Sequence, residues 1–147
     1  MRVLVQRVKS GAVHIDGKTV AAIGPGLVLL VGVAKGDTES AAEKLARKTA
    51  GLRIFADEAA KLNLSLKDIG GEALAVSQFT LYADTSRGNR PGFDPAAAPD
   101  VAKRLYEHFV IALKEQGIPV KTGVFQAHML VNIENDGPVT VLLEAGD

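Results

Sequence analysis

The sequence predicts an α+β fold, a mainly antiparallel β-sheet packed with two main helices, as a single domain over residues 1–147. Three observations predict it. Short apolar segments recur between compact turn signals, which is strand patterning. Only two longer segments carry apolar residues at helical spacing, and they stand apart rather than alternating with every strand. No repeat, low-complexity stretch or Ser/Pro-rich linker divides the chain.

The opening Met1–Val8 alternates Val3, Val5 and Val8 with polar Gln6 and Arg7, and reads as a strand rather than a secretory signal. Ala12–Ile15 leads into Asp16-Gly17, a strong two-residue hairpin signal, with Lys18 to Ile23 as the return strand. Gly24-Pro25-Gly26 marks a second turn. Leu27–Val33 is a short, continuous, valine-rich run, as expected of a strand buried on both faces. A helix follows. Ser40 and Glu43 have capping-box spacing, and Ala42, Leu45, Ala46, Thr49 and Leu52 share one face. Glu72 to Leu81 reads as a strand, and 83–99 as a long loop rich in Gly, Pro and Arg, of a length that is often functional. The second helix starts near Pro99, carries Val101, Leu105, Phe109, Ala112 and Leu113 on one stripe, and stops at Gly117 and Pro119. Val120–Phe125, Met129–Glu134 and Val139–Leu143 read as strands, with Asn135–Pro138 as a turn.

Composition narrows the function classes. The chain has no cysteine, so thiol nucleophiles and cysteine-ligated metals are excluded, and a reducing cytoplasm is the expected setting. There is no apolar run long enough for a membrane helix. The 17 basic residues balance 17 acidic ones, so a general nucleic-acid binder is not indicated, and any contact with phosphates must be local. His14, His108 and His128 show no metal-ligand spacing; no metal and no cofactor are expected. There is no P-loop and no serine-hydrolase elbow, and nothing supports a Ser77–His128–Asp triad.

Two segments look wrong for plain core. In Ser77-Gln78-Phe79-Thr80-Leu81, polar side chains interrupt the end of an apolar strand. Either the strand runs out into solvent, or it presents hydroxyls and backbone N–H groups that stabilise an ester's oxyanion. Asn135-Asp136-Gly137-Pro138-Val139-Thr140 is either a hairpin turn or a rigid display of carbonyls, since proline fixes its own φ and an X–Pro bond is the common site of a cis peptide. Carbonyls there accept hydrogen bonds from an ammonium and wall off one side of an α-carbon. Lys35, Arg87 and Arg90 are candidates for phosphate contact, against a solvated loop. Arg7 either snorkels to the surface or hydrogen-bonds an inner carbonyl.

Together, Ser77–Asp84 (SQFTLYAD) and Asn135–Thr140 (NDGPVT) resemble the two signature motifs of the bacterial-type D-aminoacyl-tRNA deacylases, also called D-tyrosyl-tRNA deacylases. The similarity spans nearly the whole chain, including Met1–Val8, Gly24–Gly36, Leu52–Phe55 and Met129. It implies a barrel-like antiparallel sheet, a homodimer with the active site at the subunit interface, and a cis Gly137-Pro138 bond inserted into the partner's pocket. That bond captures the α-amino group and excludes L-amino acids by sterics, leaving glycyl-tRNA as a possible further substrate. It implies that Ser77 and Gln78 surround the terminal adenosine, that the N–H groups of Phe79 and Thr80 form the oxyanion hole, that Arg7 braces the Gly-Pro loop, and that Met129 packs near the adenosine. The tRNA's 2′-OH would assist water; Thr80 as a covalent nucleophile is the alternative, with no base apparent beside it. This chain departs from the family at Gly92, where serine is usual, and at Gln126 and His128, where glycine and an acidic residue are usual. These departures bear on substrate preference. The expected partner is the acceptor 3′ end of D-aminoacyl-tRNA.

Overall fold

The structure is a computed structural model and describes residues 1–146. Its strands are β1 (Arg2–Ile15), β2 (Lys18–Ile23), β3 (Gly26–Gly32), β4 (Phe55–Ala56), β5 (Leu62–Leu64), β6 (Glu72–Ser77), β7 (Val120–Thr122) and β8 (Leu130–Glu144), with helices α1 (Glu39–Gly51) and α2 (Pro99–Glu115). The main sheet runs β2-β1-β3-β6-β7, and β8 lies along the other side of β1. β1 pairs antiparallel with β2, β3 and β8. β3–β6 and β6–β7 are parallel, so the sheet is mixed, with the antiparallel ladders the longer ones. It curls almost closed: the Lys121 ammonium of β7 donates to the Ala22 carbonyl of β2 across the gap, at 2.8 Å.

Local chemistry explains most elements. Asp16 and Gly17 both take positive φ (50° and 77°), as the tight hairpin requires. β3 is almost wholly buried, because β1 and β6 flank it and side chains pack on both faces. The cap of α1 is Thr38 rather than Ser40: its Oγ1 accepts from the Ala41 N–H at 3.3 Å. Pro99 opens α2, where its missing N–H costs nothing. The two helices run side by side in the same sense, joined on their exposed flank by Glu39–Arg104 (3.1 Å) and Glu43–His108 (2.9 Å).

The core has two parts. One lies between sheet and helices, around Leu27, Leu29, Leu45, Leu105, Phe109 and Leu113. The other fills the curled sheet, with Val8, Val13, Val28, Leu74 and Val76, and Met129 packs against it.

Two expectations fail in ways that matter for the site. The strand predicted over 72–81 ends at Ser77, and Phe79–Tyr82 forms one turn of 3-10 helix. Asn135–Pro138 is no hairpin turn. β8 continues in one direction along β1, and the register jumps from Asn135 opposite Val8 to Thr140 opposite Gln6. Residues 136–139 therefore bulge out of the ladder opposite Arg7.

Candidate active site

The first motif sits where β6 leaves the sheet. The Gln78 N–H donates to the Val31 carbonyl at 2.7 Å, which keeps the chain on β3 for one more residue. The 3-10 turn then packs against Gly32 at the end of β3. A Cβ there would lie 3.0 Å from Leu81 Cβ and 3.2 Å from the Gln78 carbonyl oxygen, so glycine is what lets the turn approach so closely. The first bond of the turn runs from the Leu81 N–H to the Gln78 carbonyl (3.2 Å), and no side chain caps it. The N–H groups of Phe79 and Thr80 lie ahead of that bond, with no acceptor inside the turn. The Gln78 side-chain amide donates to the Thr80 hydroxyl instead.

Beside this turn is a cleft of about 620 Å³. Ser77, Gln78 and Phe79 form one wall. The segment Phe125–Met129 forms another, and Phe93 with the start of α2 closes the third. Phe79 and Phe93 meet edge to face, with ring centroids 4.9 Å apart. The lining is largely apolar and holds one titratable side chain, His128. Ser77 and His128 share the cleft, but no hydrogen bond joins them and no carboxylate lines it, so the triad arrangement is absent among the described residues. Thr80 is exposed beside the cleft rather than in its wall. Below it, the buried Tyr106 hydroxyl donates to the Ala75 carbonyl of β6 at 2.8 Å, and burial pushes its ionisation above the ordinary tyrosine value.

The second motif is a separate construction on β1 and β8. Asn135 Nδ2 donates to the carbonyls of Arg7 (2.9 Å) and Val139 (3.2 Å), and the Thr140 hydroxyl donates to Asn135 Oδ1 at 3.1 Å. These bonds close the neck of the bulge. Arg7 sits under it: Nε donates to the Asp136 carbonyl (3.2 Å) and lies 3.4 Å from its carboxylate, while Nη1 donates to the Ile54 carbonyl at 2.9 Å. Arg7 thus engages inner carbonyls rather than snorkelling. Gly137 has φ +119°, the Gly137-Pro138 bond is cis, and both residues are exposed at the tip.

The fold therefore brings Ser77, Gln78, Phe79 and Met129 to one cleft, with Thr80 at its edge. Arg7, Gly137 and Pro138 are not part of that cleft's wall within one protomer. Sequence reasoning missed Phe93 and Phe125 as wall residues. The available signal was two aromatics in otherwise polar, Gly-containing segments. Gln126 takes φ +65°, a backbone state in which glycine is unstrained. His14 and His108 are engaged elsewhere, by Thr19 and Asn132 and by Glu43. No three His, Asp or Glu side chains converge among the described residues, and no helix among them is long and apolar enough to cross a membrane.

Comparisons with known proteins identify the family and the fold. Residues 4–144 match the family described as D-Tyr-tRNA(Tyr) deacylase. A D-aminoacyl-tRNA deacylase of Thermotoga petrophila is 58% identical over 145 residues, covering 99% of this chain and 97% of its own length. One of Geobacter sulfurreducens is 55% identical over 144 residues, covering 98% and 95%. Among solved structures, the protein named c-Myc DNA Unwinding Element Binding Protein superposes with a TM-score of 0.93 at 38% identity, over 100% of both chains. A second structure, described as a probable eukaryotic D-amino acid tRNA deacylase, shares the fold (TM-score 0.82) at 20% identity over 97% of both chains. The chain belongs to the D-Tyr-tRNA(Tyr) deacylase family.

Proposed function

We propose that this chain hydrolyses the ester of D-aminoacyl-tRNA in the cleft beside Ser77–Thr80, with a second copy of the chain completing the site. The reaction itself follows the family and the full-length relatives named for it. The observation that carries the finer reading is the pairing of acceptor-free N–H groups at Phe79 and Thr80 with a largely apolar cleft. The terminal adenosine occupies that cleft against Ser77, Gln78 and Met129. The ester carbonyl lies at the 3-10 turn, where the two N–H groups stabilise the oxyanion that forms when water attacks. With no acid–base pair in the lining, the tRNA's own 2′-OH assists the water.

Chirality comes from the other motif. Gly137 and Pro138 of the partner enter the cleft; their carbonyls hold the ammonium, and their bulk meets the side chain of an L-amino acid. Glycyl-tRNA, with no side chain to exclude, is a slower second substrate. Arg7 keeps the bulge in place. Two features support a homodimer. The bulge is exposed and lies outside its own protomer's cleft wall. Among the described residues the 15-residue strand β8 pairs with β1 alone, leaving a long edge whose Leu130 and Leu142 are 65% and 48% exposed, a surface that proteins usually cover. The site of action is the cytoplasm, where charged tRNA is used.

The test compares D-tyrosyl-tRNA ending in adenosine with the same ester ending in 2′-deoxyadenosine, on the parent and on Thr80→Ala. This reading expects a large loss with the deoxy substrate and a partial loss with Thr80→Ala. Abolition by Thr80→Ala with an intact deoxy reaction would establish the covalent route instead. The name of the DNA-element-binding neighbour favours a second reading, a nucleic-acid-binding module without catalysis. It expects D-tyrosyl-tRNA to bind yet decay at the uncatalysed rate.

A further inference from the structure

We infer that the outer flank of α1, carrying Lys44, Arg47 and Lys48, docks the phosphodiester backbone of the tRNA acceptor arm. The inference rests on the deacylase reading and adds where the substrate lies beyond its esterified end.

The chain has no net charge, so attraction for a polyanion must come from segregation of its charges. α1 is segregated along its length. Its acidic residues Glu39 and Glu43 face α2, where Arg104 pairs with the first and the His108 ring hydrogen-bonds the second. Lys44 and Lys48, one helical turn apart, lie on the far flank around a shallow hollow of about 410 Å³ that also touches Leu143 and Glu144, and Arg47, one turn beyond Glu43, reaches the same hollow. None of the three cations forms a salt bridge among the described residues. Glu144, the carboxylate among the described residues that line that hollow, is held by Arg2 at 2.8 Å.

This flank is continuous with the candidate cleft. Phe79 lines the cleft, and Tyr82 at the far end of the same 3-10 turn lines an adjoining hollow of about 560 Å³. Glu144 borders both that hollow and the one beside α1. Within the intermediate hollow, Asp37 is paired with the Met1 amino group (2.7 Å) and Glu144 with Arg2, which among the described residues leaves Lys35 as the unpaired charge. A strand of nucleic acid leaving the cleft past Tyr82 thus meets Lys35 and then Lys44, Arg47 and Lys48, and the described acids on the way, Asp37 and Glu144, are already paired. A solvated helix face needs no such sorting; a phosphate track does.

The test is the variant Lys44→Ala/Arg47→Ala/Lys48→Ala, set against a charge-matched control, Lys9→Ala/Lys18→Ala/Lys61→Ala, made at scattered exposed positions. Kinetics are read on D-tyrosyl-tRNA and on D-tyrosyl-adenosine, which has no acceptor arm, across a range of salt. The α1 variant is expected to raise KM for D-tyrosyl-tRNA about tenfold or more with kcat little changed. It is expected to lower the slope of log(1/KM) against log[salt] by about 2–3, from three lost phosphate contacts. D-tyrosyl-adenosine turnover should stay within about twofold. Equal losses on both substrates, or a KM and salt slope matching the control variant, would overturn the proposal. If the parent is inactive on D-tyrosyl-tRNA, the deacylase reading fails by itself. The same comparison of salt slopes in binding of uncharged tRNA still decides whether α1 is the docking surface.

Discussion

Replacing Gly137 by alanine tests the bulge most sharply. A Cβ at this position would stand 2.9 Å from Arg7 Nη2, 3.0 Å from Val139 Cγ2 and 3.0 Å from the Val139 nitrogen. The backbone φ of +119° is itself unfavourable to any L side chain, at about 1–3 kcal/mol. Arg7 is the end of a flexible side chain and can withdraw, but withdrawal weakens its charge-assisted bonds to the Asp136 and Ile54 carbonyls, each worth about 1.5–3 kcal/mol. The Val139 nitrogen is main chain and yields only if the bulge shifts. Partial loss of the Arg7 bonds plus the backbone term gives a destabilisation of about 2–4 kcal/mol. A shifted bulge can no longer present Gly137 and Pro138 as a wall, so the ratio of D- to L-tyrosyl-tRNA hydrolysis should fall at least tenfold. Urea denaturation at constant slope reads the first quantity, and initial rates on the two esters read the second. A Gly137→Ala protein within about 0.5 kcal/mol of the parent, with its selectivity intact, would refute both the packing argument and the wall.

Three other perturbations separate the roles of neighbouring groups. Gly32→Ala pushes on Leu81 and the Gln78 carbonyl, so it should lower kcat on D-tyrosyl-tRNA about tenfold or more while costing about 1–3 kcal/mol of stability, the usual range for overpacking; unchanged kcat would show that the 3-10 turn does not set the chemistry. Tyr106→Phe removes one buried hydrogen bond but leaves the Ala75 carbonyl paired with the Gly123 N–H, so about 1 kcal/mol should be lost at neutral pH. Burial raises the Tyr106 ionisation in the folded state, so its contribution persists below the ordinary value of 10.0 and fades as pH rises through it; the parent should lose stability above pH 10 more steeply than Tyr106→Phe, as read by chemical denaturation across that window. Gln126→Gly relieves a left-handed residue at the cleft wall, with a net stability change within about 1 kcal/mol because glycine also gains freedom when unfolded; a loss well beyond that would mean the Gln126 side chain holds the Phe125–Met129 wall.

Much of the fold was legible because its signals are local. Asp16-Gly17 and Pro99 act through their own backbone preferences, and both stand where the sequence placed them. The buried run of Leu27–Val33 declared itself by composition, though its parallel partner β6 has no local signature. The two misreadings have different causes. Asn135–Pro138 has turn chemistry, yet β1 pairs with the residues on both sides of it, and long-range pairing turned a hairpin signal into a bulge. Phe79–Tyr82 is a single turn, too short for periodicity to distinguish from the end of a strand. In the site, Ser77, Gln78 and Phe79 were identifiable because polar groups interrupted an apolar strand. Phe93, Phe125 and His128 lie in loops far from Ser77 in sequence, and only the folded chain brings them to the same cleft.

The most direct measurement is the hydrolysis of matched D- and L-tyrosyl-tRNA by the purified protein, with and without a metal chelator. The account predicts rapid loss of the D-ester, a background rate for the L-ester, and no effect of chelator. Equal, slow loss of both esters would contradict it and favour a binding protein. Equal, fast loss of both would leave a deacylase without a chiral wall.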